Sequence, residues 1–90
     1  MINIYIPSFL RPHADRQATV QVAGRTVGEA IEALVKRHPN LKPHLFKPDG
    51  ERLPFVHVFK HDTDIRTLED LRTPLSDQDE ITLVVPVAGG

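Results

Sequence analysis

One amphipathic helix, written between residues 26 and 38, constrains this chain more than any other feature. Thr26-Val27-Gly28-Glu29 has the form of a capping box, in which the Thr26 hydroxyl accepts from the Glu29 amide and Glu29 reaches back. Val27, Ala30, Ile31, Leu34 and Val35 then recur at i, i+3, i+4, i+7 and i+8, which makes one apolar face. Lys36, Arg37 and His38 suit the negative end of the helix; Pro39 stops it and Asn40 takes the turn. A single apolar helix face must be covered, and the cheapest cover is one face of a sheet.

The rest of the chain supplies that sheet. Ile2, Ile4 and Ile6 alternate with Asn3 and Tyr5 up to Pro7, and Ala18, Val20 and Val22 alternate with Thr19 and Gln21. The two runs read as a hairpin, joined by a loop over residues 8–16 with Pro12 and Asp15 as breakers. A helical turn is expected near Leu45-Phe46, and a chain turn at Pro48-Asp49-Gly50. Phe55-Val56-His57-Val58-Phe59 is rich in β-formers and reads as a third strand. His61 to Asp64 reads as a turn, Ile65-Arg66 as a very short strand, and Leu68, Leu71 and Leu75 as one or two helical turns. After the polar turn at Asp77 to Glu80, Ile81-Thr82-Leu83-Val84-Val85 is nearly continuous in apolar residues, as a strand flanked by others tends to be. A right-handed crossover lets this last strand lie parallel beside the first. The expected fold is α+β: a β-grasp (ubiquitin-like) domain over residues 1–86, with a mixed four- to five-stranded sheet on one main helix. Residues 87–90 are expected to be a flexible C-terminal Gly-Gly tail.

Bulk properties narrow the function. Ninety residues make one domain with one core and no room for a buried catalytic cleft, which favours a binding or carrier protein over a self-sufficient enzyme. A net charge of −1 offers no field to hold nucleic acid or an anionic membrane. Without cysteine there is no disulfide, thiolate metal site or thiol catalysis, and with no signal peptide or spanning segment the expected location is cytoplasmic. None of the five histidines, His13, His38, His44, His57 and His61, forms a His-x-x-x-His pair on an expected helix; His57 and His61 lie four apart but across a strand end and a turn, so no metal site is expected. Asp62, Asp64, Asp77, Asp79 and Glu80 read as turn residues, not as paired catalytic carboxylates.

Two features carry function. The first is the ending Val87-Ala88-Gly89-Gly90 directly after an apolar strand. Paired glycines make the narrowest peptide tail, able to thread a tunnel and present an ionised carboxylate at Gly90. The second is Phe55, His57 and Phe59. If Val56 and Val58 face the helix, these three lie on the outer face of the sheet and suit partner docking, with Arg66 and Arg72 at the border to pair with acidic groups. The opposite register would bury both phenylalanines.

The polar turn, terminal strand and Gly-Gly end, from Asp79-Glu80-Ile81-Thr82-Leu83 through Pro86-Val87-Ala88-Gly89-Gly90, resemble the ThiS/MoaD family of ubiquitin-like sulfur carriers. Ile6-Pro7-Ser8-Phe9-Leu10-Arg11-Pro12-His13 and the stretch from Phe55 to Arg66 look closer to its CysO-type branch, although Lys60 stands where an apolar residue is expected. The resemblance implies that Gly90 is adenylated by an enzyme of the ubiquitin-activating type, which uses ATP and magnesium. A sulfur donor then displaces AMP and leaves a glycyl thiocarboxylate. Gly89, Ala88 and Val87 would give the tail its clearance. The implied partners are that enzyme, a sulfur-accepting synthase of the cysteine-synthase type and a metallopeptidase. The implied product is cysteine, with molybdopterin, thiamine thiazole or another thiolated metabolite as alternatives. This chain has no phosphate loop and no placed acidic cluster, so it is expected to bind no cofactor and to hold no catalytic residue. A ubiquitin-like modifier conjugated to lysine and a plain β-grasp interaction module are the rival readings.

Overall fold

Helix α1 spans Val27–Arg37, as the apolar spacing predicts. The Thr26 hydroxyl accepts from the Glu29 N–H at 3.2 Å. Glu29 reaches back one residue further than a standard capping box: its carboxylate accepts from the Arg25 N–H at 3.1 Å. At the other end the His38 N–H donates to the Leu34 carbonyl at 2.9 Å before Pro39 turns the chain away. The computed structural model describes residues 1–85.

Five strands form one sheet in these residues: β1 (Ile2–Tyr5), β2 (Thr19–Val22), β3 (His57–Lys60), β4 (Thr63–Asp64) and β5 (Glu80–Val84). Their order is β2-β1-β5-β3-β4. β1 pairs with β2 antiparallel and with β5 parallel, while β3 runs antiparallel to both β5 and β4. This is the expected mixed sheet around one main helix. Ile2, Ile4, Val20, Val22, Val58, Ile81 and Leu83 point from the sheet into the core, where they meet Val27, Ala30, Ile31 and Leu34 of α1. A short helix α2, Lys42–Leu45, adds Leu45 to that core.

Several local expectations are corrected. Residues 8–16 are not a loop: a 3-10 helix runs from Ser8 to Ala14 and buries Leu10 and Ala14. Ala18 is exposed and precedes β2. The third strand begins at His57, because Pro54 and Phe55 form a turn closed by the Val56 N–H on the Leu53 carbonyl at 3.0 Å. The very short strand is Thr63–Asp64, and Ile65–Thr67 is a 3-10 turn capped by the Asp64 carboxylate on the Arg66 N–H. Asp70–Arg72 makes one further 3-10 turn, and Leu68 is exposed. β5 is flanked by β1 and β3, as its apolar run implies, yet its burial alternates, with Ile81 and Leu83 inward and Val84 exposed. Lys60 pairs with Ile81 at a core-facing position, and its stem carries the ammonium out to the margin. There the ammonium donates to the Pro74 carbonyl at 3.0 Å, 3.7 Å from the Asp79 carboxylate.

Candidate functional site

The strand directions gather one end of the sheet. β5 is parallel to β1 and antiparallel to β3, so the end of β1, the start of β3 and the end of β5 lie together. Residues 86–90 continue from this end, and Val87, Ala88, Gly89 and Gly90 lie outside the described residues.

The register settles which way the neighbouring side chains face. Val56 and Val58 are buried, so His57 and Phe59 lie on the opposite, outer face of the sheet. Across that face Tyr5, Thr82, Phe59 and Asp64 form one row, and His57 stands opposite Val84 in the next. Four large hydrophobic residues are exposed on this face or at this end: Phe55 (46%), Val84 (42%), Phe9 (40%) and Tyr5 (38%). Phe9 joins them because the 3-10 helix starts just past the end of β1. The docking residues expected from sequence did not include Tyr5, Phe9 or Val84. Alternation of Tyr5 with Ile4 and Ile6, and of Val84 with Leu83, was the available signal for two of them; Phe9 had none, because its helix was unforeseen.

Arg66 is exposed, and its side chain folds back along the turn that precedes β3. Its guanidinium donates to the Pro54 carbonyl at 2.7 Å and to the Val56 carbonyl at 3.3 Å, the two carbonyls on either side of Phe55. Asp64 accepts from the Arg66 N–H at 2.9 Å and stands 3.8 Å from His57 Nδ1. The Tyr5 hydroxyl donates to Glu80 at 3.1 Å. That bond, with the charge of the carboxylate, holds the Tyr5 phenol above its ordinary pKa.

The remaining histidines lie in separate places. His13 stacks on His44 with ring centroids 4.4 Å apart. His61 bonds Asp79 at 2.8 Å. His38 is buried at the end of α1. Among the described residues no group of three or more His, Cys, Asp or Glu could hold a metal ion. An open groove of about 370 Å³ lies on the helix side, lined by Ile31, Val35, Phe46 and Leu71 among others. No helix of the described residues is long and apolar enough to cross a membrane.

The sequence matches the ThiS family from residue 4 to residue 90, nearly its whole length and through both terminal glycines. The chain belongs to the ThiS family. It is 33% identical over 91 residues to the sulfur carrier protein CysO of Mycobacterium tuberculosis, covering 99% of this chain and 98% of that protein. It is 36% identical over 76 residues to small archaeal modifier protein 1 of Haloferax volcanii, covering 83% of each. Among solved structures, a chain of the Amycolatopsis orientalis BexX/CysO complex superposes with a TM-score of 0.89 at 32% identity, covering 100% of both chains. The crystal structure of Mycobacterium tuberculosis CysO gives 0.86 at 30% identity, covering 97% of this chain and all of that one. These likenesses confirm the β-grasp fold. They also place this ThiS-family chain among carrier-type proteins and not among enzymes.

Proposed function

We propose that this ThiS-family chain is a sulfur carrier of the cytoplasm, loaded at the carboxylate of Gly90. Its similarity to a CysO carrier over 99% of the chain, with the family match running through Gly90, carries the reading. Supporting it is the position of β5: a strand bonded on both sides anchors the chain rigidly just before the Gly-Gly segment. A carboxylate is a poor electrophile and must be activated first. A Gly90 oxygen attacks the α-phosphorus of ATP and pyrophosphate leaves, giving an acyl adenylate. A sulfide-level donor then attacks the acyl carbon, AMP leaves with the bridging oxygen, and a thiocarboxylate remains. ATP, magnesium and the donors that stabilise the phosphate belong to an adenylating partner of the ubiquitin-activating type. The solved complex of an Amycolatopsis orientalis CysO with BexX supports a partner-bound way of working. On the CysO likeness the sulfur goes to a cysteine-synthase-like acceptor.

The test is the intact mass of the protein after incubation with an adenylating enzyme of this type, ATP, magnesium and sulfide. The expected result is replacement of one oxygen by sulfur, localised to the peptide ending at Gly90. An unchanged mass, with the enzyme shown active on another carrier, overturns the proposal. A second reading is favoured by the similarity to small archaeal modifier proteins: attachment of Gly90 to lysines of other proteins. Conjugates that disappear when Gly90 is deleted would establish it.

A further inference from the structure

The distance from Val85 to Gly90 limits where a partner can touch this protein. Five residues of fully extended peptide span at most about 18 Å. On the reading that Gly90 is handed to an adenylating enzyme, that enzyme must seat its body against the end of the sheet from which β5 leaves. The surface there holds Tyr5, Phe9, Phe55 and Val84, exposed and apolar.

Phe55 differs from the others in how it is held. Tyr5 and Val84 sit in strands, and Phe9 in a 3-10 helix. Phe55 sits in a turn, where an aromatic ring left 46% exposed has no strand or helix to fix it. Three constraints take their place. Pro54 fixes the backbone at the first corner of the turn. The Val56 N–H closes it on the Leu53 carbonyl at 3.0 Å. Arg66 then ties together the two carbonyls that flank Phe55, its Nη2 donating to the Pro54 carbonyl at 2.7 Å and to the Val56 carbonyl at 3.3 Å. Both bonds come from one nitrogen, Nη2, whose two hydrogens are fixed in the rigid guanidinium plane and can each meet one carbonyl. Asp64 in turn fixes the backbone of Arg66 by accepting its N–H at 2.9 Å.

We infer that Arg66 is a positioning residue: it locks the turn at 54–56 so that Phe55 stands as a preorganised apolar anchor for the adenylating enzyme. Sequence alone suggested a different role, an ion pair between Arg66 and an acidic partner group. A preorganised aromatic gives binding without the cost of ordering a loop, and such residues commonly dominate an interface.

The experiment is steady-state adenylation of the full chain, measured as pyrophosphate release with carrier concentration varied, by an enzyme that accepts the wild type. Phe55→Ala and Arg66→Ala are each expected to raise KM about tenfold with kcat unchanged. The double variant is expected to be no worse than either single one, because both remove the same anchor. The KM effect of Arg66→Ala is expected to persist at high salt. In the free protein, Arg66→Ala is expected to speed hydrogen exchange of the Val56 amide while the Leu83 amide stays protected. Phe55 is exposed, so Phe55→Ala folds whatever the fate of the arginine variant; an unchanged KM for it overturns the inference. So do single-variant effects that multiply, an Arg66→Ala effect that fades with salt, or unchanged Val56 exchange. A wild-type chain that no adenylating enzyme accepts overturns the carrier reading instead, and Val56 exchange still decides whether Arg66 locks the turn.

Discussion

Gly24 shows how little room a single residue has where β2 hands the chain to α1. A Cβ built there would lie 2.7 Å from the backbone nitrogen of Ala30 and 3.2 Å from its Cβ. The obstacle is helix backbone, which cannot swing aside as a flexible side chain could. Gly24→Ala is therefore expected to destabilise the fold by about 1–3 kcal/mol. For a domain of this size each kcal/mol lowers Tm by roughly 4–8 °C, which thermal unfolding followed by circular dichroism will show. An unchanged Tm would mean that the connection shifts to make room. Gly50 is a glycine for another reason: its φ is +93° with open space around it, so the turn after Pro48 needs the backbone conformation and not the clearance.

At the scale of elements, α1 carries the core and its cap is secondary. Leu34 is fully buried against the sheet. Leu34→Ala is expected to cost about 2–5 kcal/mol. Loss of the Thr26 cap in Thr26→Ala is expected to cost about 0.5–2 kcal/mol. Urea midpoints of the two variants check the ordering, and equal losses would contradict the primacy of packing. α1 was legible because its apolar period and its cap lie in adjacent residues. The 3-10 helix Ser8–Ala14 was not, since Pro12 and Asp15 look like breakers. The strand expected at Ile65-Arg66 failed because the Asp64 side chain satisfies the Arg66 N–H locally, which turns the chain before it can pair. At the candidate site, the outward register of His57 and Phe59 was legible as one of two alternatives. The return of Arg66 onto the turn before β3 was not, since its acceptors lie 10 and 12 residues away.

For the molecule as a whole, two carboxylates tie the stability to pH. Asp70 accepts from Arg52 through both oxygens, at 2.7 and 3.1 Å, and that bond holds its pKa below the ordinary value. Asp79 is lowered by the Ser76 N–H first and by His61 second. A carboxyl with a depressed folded pKa contributes stability that is present above its unfolded pKa of about 3.9 and is lost as pH falls through the folded value. The protein is therefore expected to weaken below about pH 4. The Arg52 side chain is only 11% exposed against 49% for Asp70, so removing the aspartate strands a largely buried charge. Asp70→Asn is expected to cost about 1–2 kcal/mol at neutral pH, reduced from a buried pair because Asp70 is half exposed. In acid, where the wild-type carboxyl is protonated as well, the difference is expected to vanish. Urea unfolding at neutral pH and near pH 2 measures both; a difference that persists in acid would show that the charge of Asp70 is not what matters.

The sequence by itself determined β1, β2, β5 and α1, because alternation, helical period and capping are written in neighbouring residues. It also determined the family reading, which rests on the run from Asp79 through β5 to Gly90. Only the tertiary structure decided which side chains surround the end of that strand. Tyr5, Phe9, Phe55 and Val84 come from four separate stretches of the chain, and Arg66 reaches back from a fifth. Their proximity follows from β5 pairing with both β1 and β3; the parallel course of β1 and β5 was expected from the sequence, but the register that sets these side chains together leaves no mark on local spacing.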